Sequence, residues 1–510
     1  MAATLASTIL GFAREVVYAK YFGASWQLDA YLAAIVVPTI LFGVFNGALV
    51  SALVPIFSEY LATDREAEAW RLGSTLIVAV TLILSVAAAL GWWLAPVYVP
   101  LYAHFPPGDL ARTLATTIDM TRWLMPTIVA TSLSGILAAM LNAHRRFAAA
   151  ALQGVVLNLA VIAFVTLGFQ RYGVHALVIG TLLGTFAQLG VQVPAFLALG
   201  RFRPVLDLQH PGVRRVLHML GPIAIGSAAG QIAMFFDRFF ASGLSEGSIS
   251  GMNYAVKVVG FPQQIFVSVI ATVIFPIFAT QFAVRNRKAM RRSVATGLQM
   301  VVFLTLPSAF GLIVLAGPIV RTLFERGAFT TEATALCASL LPFAAAGLVG
   351  LAANVVLTRC TFAAGKVRST VAISVATVIL NVVLSIVWLP SLGARGLLLA
   401  NTVSQTLQTV ALGALVWRLL GGFDLRAIGR SALKVLGCSA IMYAALATVQ
   451  SFEPPVTGGD LPRIVSLVEH LAFGAAIFLG LARLVDSDEV HLAISLVVKR
   501  KAPTELVSLP

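Results

Sequence analysis

Charge is what this chain has least of. Only 11% of its 510 residues are Asp, Glu, Lys or Arg, against about 25% in ordinary soluble domains. With 59% apolar residues and a mean hydropathy of +0.92, there is too little polar surface to cover soluble cores. Cysteine is almost absent too. Cys337, Cys360 and Cys438 form no CxxC and no Cys/His spacing, so no disulfide framework or metal site is expected and they read as small apolar filler. The chain lacks GxSxG, Walker A and HExxH motifs and any soluble domain with paired carboxylates. No enzyme, no cofactor and no nucleotide-driven pump is therefore expected. The remaining energy sources are a monovalent-ion gradient, the membrane potential or a substrate gradient. No cleavable signal peptide is expected either: the first apolar stretch has no basic leader and contains Arg14, Glu15 and Lys20.

What fills the chain instead is long apolar runs. About 20 apolar residues at 1.5 Å each cross a hydrocarbon core of roughly 30 Å. Runs that meet this test cover 4–22, 29–57, 73–99, 119–142, 148–168, 174–199, 216–242, 252–282, 294–318, 334–358, 369–389, 395–419, 431–450 and 463–484. The expected class is an all-α polytopic membrane protein of about 14 helices, because backbone polar groups in lipid must be satisfied within their own segment.

The net charge of +14 would suggest nucleic acid on a soluble protein. Here no aromatic-interleaved basic stripe exists, and the basic residues sit in loops, so topology and anionic headgroups explain them. Arg145 and Arg146, then Arg201 to Arg215, Arg285 to Arg292, Arg359 to Arg368 and Arg418 to Lys434 fall after even-numbered spans. The opposite loops hold little beyond Arg112, Arg171, Arg321, Arg326, Arg395 and Arg463. This asymmetry expects an inner-membrane protein with both termini cytoplasmic.

An internal repeat is visible. Ala52-Leu53-Val54-Pro55-Ile56-Phe57 in span two parallels Val273-Ile274-Phe275-Pro276-Ile277-Phe278 in span eight. Tyr31 and Pro38 parallel Tyr254 and Pro262, and Arg14-Glu15 parallels Asp237-Arg238. Copies six spans apart share an orientation, so they read as parallel repeats. The expected layout is an N-lobe over 1–200, a linker over 201–215, a C-lobe over 216–420, an extra helix pair over 421–484 and a cytoplasmic tail over 485–510. The tail over 490–499 reads as a short interfacial helix. The two lobes would flank a central cavity.

Intramembrane charges are expensive and usually face a cavity or a partner. Arg14 and Glu15 sit mid-helix in span one, Asp29 opens span two, Asp237 and Arg238 lie late in span seven, and Lys257 lies early in span eight. Each also has a structural reading. Arg14 and Glu15 are about 100° apart on a helix and should not face one point. Asp29 fits a cap on its own helix, Asp237 with Arg238 an interfacial pair, and Lys257 a snorkelling anchor. Asn158, Gln188, Gln192, Gln231, Asn354, Asn381, Asn401 and Gln405 read as glue between helices. Pro38, Pro126, Pro222 and Pro262 should kink theirs.

Gly11-Phe12-Ala13-Arg14-Glu15, Tyr21-Phe22-Gly23-Ala24, Asp29-Ala30-Tyr31 and Val54-Pro55-Ile56-Phe57-Ser58-Glu59-Tyr60 together resemble the opening of the MurJ (MviN) lipid II flippases, within the multidrug/oligosaccharidyl-lipid/polysaccharide exporter superfamily. Tyr254-Ala255-Val256-Lys257 with Phe261-Pro262 resembles the family's span-eight signature. The resemblance implies two six-helix lobes, alternating access and translocation of undecaprenyl-pyrophosphate-linked peptidoglycan precursor. It further implies a monomer among membrane lipids, and pyrophosphate held by cavity arginines. Arg14 matches one of these and Lys257 another, with Lys for Arg. Two more fall at Thr8 and Phe42, and Asn46-Gly47 lacks the usual acidic residue. Asp29 matches a typical acidic position, and Arg238 is a further cation for the same site. Arg offers phosphate a planar fork whereas Lys is a point charge. The alternatives kept open are a flippase for an exopolysaccharide or O-antigen unit, an ion-coupled multidrug exporter and a non-transporting scaffold.

Overall fold

The computed structural model describes residues 2–108, 110–200, 202–264, 286–453, 459–486 and 489–490. Its helices are α1 (Ala2–Phe22), α2 (Trp26–Ala34), α3 (Val36–Ala62), α4 (Glu66–Tyr102), α5 (Leu110–Leu124), α6 (Thr127–Ala143), α7 (Phe147–Tyr172), α8 (His175–Gly190), α9 (Val193–Leu197) and α10 (Pro211–Ser242). A helical stretch over 248–264 is α11. After it come α12 (Arg287–Val314), α13 (Ala316–Phe324), α14 (Thr331–Ala346), α15 (Leu348–Ala363), α16 (Val367–Leu392), α17 (Ala394–Leu420), α18 (Leu425–Phe452) and α19 (Asp460–Leu484). No strand occurs among the described residues. Ten of their helices or joined helix pairs are long and apolar enough to cross a membrane. The second half of span eight, including Val273 to Phe278, lies outside the described residues, as does the tail helix expected at 490–499 beyond residue 490.

Prolines place the helix breaks. Pro38 has no N–H to give the Ala34 carbonyl, and α2 ends at Ala34. The carbonyls freed there find other donors: the Thr121 hydroxyl on α5 donates to Ala34 O at 3.5 Å, and the Tyr102 hydroxyl on α4 to the neighbouring Ala33 O at 3.1 Å. Pro126 likewise separates α5 from α6. The spans expected at 29–57 and 119–142 are thus broken pairs, because a proline inside an apolar run is invisible to hydropathy.

One side of α4 shows what the apolar excess is for. Leu82, Val86, Leu90, Trp93, Val97 and Leu101 recur every three or four residues, and each is more than half exposed. From 82 to 101 the stripe is about 30 Å long at 1.5 Å per residue, one hydrocarbon thickness. A soluble protein could not expose such a patch; a bilayer covers it.

The chain divides into two compact units, residues 1–250 with 326–330, and residues 251–325 with 331–510. In the first, α3 packs on α10 and α6, α7 on α8 and α1, and α2 on α5. Its main core gathers Leu53, Phe57, Trp70, Leu72, Ile136 and Met140. The division falls after α10 because that helix lies along α3. The segment expected as a linker, 201–215, is within the first unit. His210 caps α10 by accepting from the Gly212 N–H at 3.1 Å and contacts Glu68 at 2.7 Å. Arg71 pairs with Asp207 at 2.9 Å, and Arg215 grips Glu59 with two bonds of 2.9 and 2.7 Å. In the second unit α16 packs on α17, α12 on α18 and α15, and α18 on α19.

The repeat extends beyond the motifs legible in the sequence. Gly173 (φ 54, ψ −130) and Gly393 (φ 56, ψ −133) carry the same turn before α8 and α17. Ser134 on α6 donates to Gln153 on α7 at 3.1 Å and accepts from Gln188 on α8 at 3.1 Å. About 220 positions later in the parallel repeat, Asn354 on α15 donates to Gln408 on α17 at 3.4 Å, and Gln408 donates to Ser374 on α16 at 3.1 Å. Gln192 and Gln405 join these two networks, and Asn158 ties α7 to the Ser7 carbonyl of α1 at 3.2 Å. In lipid such buried polar contacts glue helices because no water competes for them. Asn381 differs: both its side-chain polar atoms are buried without a hydrogen bond.

Candidate functional site

α1 carries Arg14 and Glu15 in mid-helix. Adjacent residues point about 100° apart, yet the long guanidinium chain closes the gap: Arg14 Nη2 donates to Glu15 Oε1 at 3.1 Å. The expectation that the two could not face one point is therefore corrected by side-chain length. Glu15 is buried, whereas the Arg14 side chain keeps 24% of its surface. The Tyr18 ring, one turn on, lies 5.6 Å from the guanidinium carbon.

Asp29 does not cap its own helix. Its buried carboxylate accepts from the Gly247 N–H at 2.8 Å and the Ser250 N–H at 2.7 Å. These are orphan donors around the first turn of α11, so Asp29 caps that helix from across the fold. Arg238 on α10 donates to Ile249 O at 3.1 Å in the same turn, and the Trp26 N–H donates to Glu246 at 3.0 Å. The structure thus brings Asp29 and Arg238 together on residues 246–250. Lys257 belongs to the second unit and is exposed. Thr8 and Phe42 are half-buried.

A second backbone junction lies at the end of α1. The Ala328 N–H donates to Lys20 O at 2.8 Å. Gly23 (φ 63) and Gly327 (φ 61) sit in the left-handed region, and a Cβ on either would come within 2.3 Å of the opposing carbonyl. Only glycine serves at both positions. Of this junction only Gly23 was part of a motif in the sequence, with no signal for its partner.

Among the intramembrane charges that the sequence singled out in the first unit, Arg14 and Arg238 stand against Glu15, Asp29 and Asp237. Arg14 is a cation that is touched by one carboxylate and keeps some exposed surface.

A family model described as Lipid II flippase MurJ matches residues 18–465. The chain is 29% identical over 426 residues to the lipid II flippase MurJ of Burkholderia cenocepacia, covering 80% of this chain and 81% of that protein. It is similar in fold to a solved structure of lipid II flippase MurJ in an inward closed conformation, with TM-score 0.78, 22% identity, and 95% and 97% of the two chains covered. A multidrug resistance MATE family transporter of the MOP superfamily, in an inward-facing conformation, shares the fold more distantly, with TM-score 0.68, 14% identity, and 81% and 94% covered. The match to the family model spans most of the chain, and on it this multi-pass membrane protein belongs to the lipid II flippase MurJ family.

Proposed function

We propose that this protein translocates lipid II, the undecaprenyl-pyrophosphate-linked peptidoglycan precursor, across the inner membrane by alternating access. The observation that carries the reading is the family match over 18–465, which includes Lys257 and lies just beyond Arg14. Arg14 in the first unit and Lys257 in the second are the cations that serve the pyrophosphate. Asp29 and Arg238 hold the 246–250 turn. The polyprenyl tail stays in lipid while the headgroup crosses, so no group on the protein needs to react.

Complementation tests this directly. A strain depleted of its own lipid II flippase should grow when this chain is supplied at a normal membrane level. Failure to rescue would overturn the reading. If Thr8→Arg with Phe42→Arg then restored growth, the native cargo would be another polyprenyl-linked glycan.

On the same reading both termini are cytoplasmic, from the Lys and Arg asymmetry. A cysteine placed at Lys288 should label only after the membrane is permeabilised, and one at Gly108 should label in intact cells. Labelling of position 288 from outside would refute this orientation.

A further inference from the structure

We propose that Tyr18 is a positioning residue for Arg14, held in place by a buried chain of contacts that runs to α8. The proposal rests on the reading of Arg14 as a phosphate-binding cation. Tyr18 follows Arg14 by four residues, so it lies on the same helix face. Helical side chains lean toward the N-terminus, which brings the ring back against the guanidinium, 5.6 Å from its central carbon.

Tyr18 is itself fixed. It is 3% exposed, and its ring meets that of Tyr31 on α2 edge-to-face at 5.9 Å and 78°. The Tyr31 hydroxyl lies 2.7 Å from Thr181 Oγ1 on α8. Thr181 gives its one proton to the Leu177 carbonyl at 2.7 Å, so Tyr31 must be the donor to Thr181. Three helices of the first unit therefore converge on the place where the Arg14 guanidinium rests.

The chemistry suits an anion site. A ring attracts a guanidinium through its π face and takes none of its N–H donors. A carboxylate would occupy those donors and neutralise the charge. Glu15 already takes one, at Nη2. Tyr18 steadies the group from another direction and leaves the other N–H edges for a phosphate fork. The arginine is thereby preorganised, and less side-chain freedom is lost when the anion binds.

Two measurements test this on the full-length protein in nanodiscs. The first is the rate at which an arginine-specific dicarbonyl modifies Arg14, read by peptide mass spectrometry. Tyr18→Leu should raise that rate several-fold, while Tyr18→Phe, which keeps the ring, should not. The second is a double-mutant cycle on binding of undecaprenyl pyrophosphate. Tyr18→Leu should weaken binding about tenfold, equivalent to about 1.4 kcal/mol, with Tyr18→Phe close to wild type. In an Arg14→Ala background the same Tyr18→Leu change should have no further effect. An unchanged modification rate in Tyr18→Leu would overturn the proposal, as would an equal loss of binding with Arg14 already removed. If the modification rate rises but wild type does not bind the pyrophosphate lipid, the positioning role stands and the flippase reading fails. Tyr31→Phe, which removes the hydroxyl bonded to Thr181, should give a milder version of the same pattern.

Discussion

Arg14→Ala is expected to abolish lipid II translocation while the protein still accumulates in the membrane. Among the described residues, the hydrogen bond and ring contact of Arg14 are to Glu15 and Tyr18, both on its own helix. Charge-assisted hydrogen bonds are worth about 1.5–3 kcal/mol each. A bidentate grip on phosphate makes two, so the loss is at least about a hundredfold in productive binding. Lys257→Ala should also lose transport, and Lys257→Arg should keep it, since arginine supplies the same charge with a better fork. Headgroup transfer measured beside membrane level checks this. Full activity in both alanine variants would remove the anionic-headgroup account.

The second large effect is structural. Asp29→Ala should destabilise the protein by about 3–5 kcal/mol, because it removes two charge-assisted bonds, to Gly247 and Ser250. It also leaves orphan N–H groups around a buried helix start, where a carboxylate is further favoured by the helix dipole. Asp29→Asn keeps one acceptor oxygen and should cost about half as much. The thermal unfolding midpoint in detergent reads the difference. If Asp29→Ala left the midpoint unchanged and stopped transport, Asp29 would act on the cargo and the capping role would be wrong.

The fold was legible because bilayer physics writes itself into hydropathy. A lipid-facing stripe such as Leu82 to Leu101 needs no partner elsewhere in the chain to be recognised. The breaks at Pro38 and Pro126 were legible as kinks but not as full helix ends, since the rescue of the Ala34 carbonyl depends on Thr121, far along the chain. The repeat was legible where residues are identical, as at Pro55 and Pro276. It was hidden where function is kept by different side chains: Ser134 and Asn354 hold the same place in matching polar networks, yet look unrelated in the sequence.

The site was legible as a set of charges and not as an arrangement. Arg14 and Lys257 stand out because a charge in an apolar helix is costly. What a charge does depends on partners that the sequence does not reveal. Asp29 meets its donors more than 200 positions away, and Arg238 spends a hydrogen bond on Ile249 O. The tyrosine chain behind Arg14 was likewise hidden, since Tyr18 and Tyr31 look like ordinary core aromatics until α8 supplies Thr181.

The central claim is that this chain moves the lipid II headgroup and that Arg14 grips it. The most direct measurement is headgroup transfer in sealed vesicles holding the purified protein and lipid II, read by a membrane-impermeant enzyme that cleaves only headgroups on its own side. The account predicts that protein-containing vesicles expose the protected lipid II pool to cleavage, and that vesicles with Arg14→Ala behave like protein-free ones. Cleavage of the protected pool at equal rates with and without the protein, or at equal rates for wild type and Arg14→Ala, would contradict it.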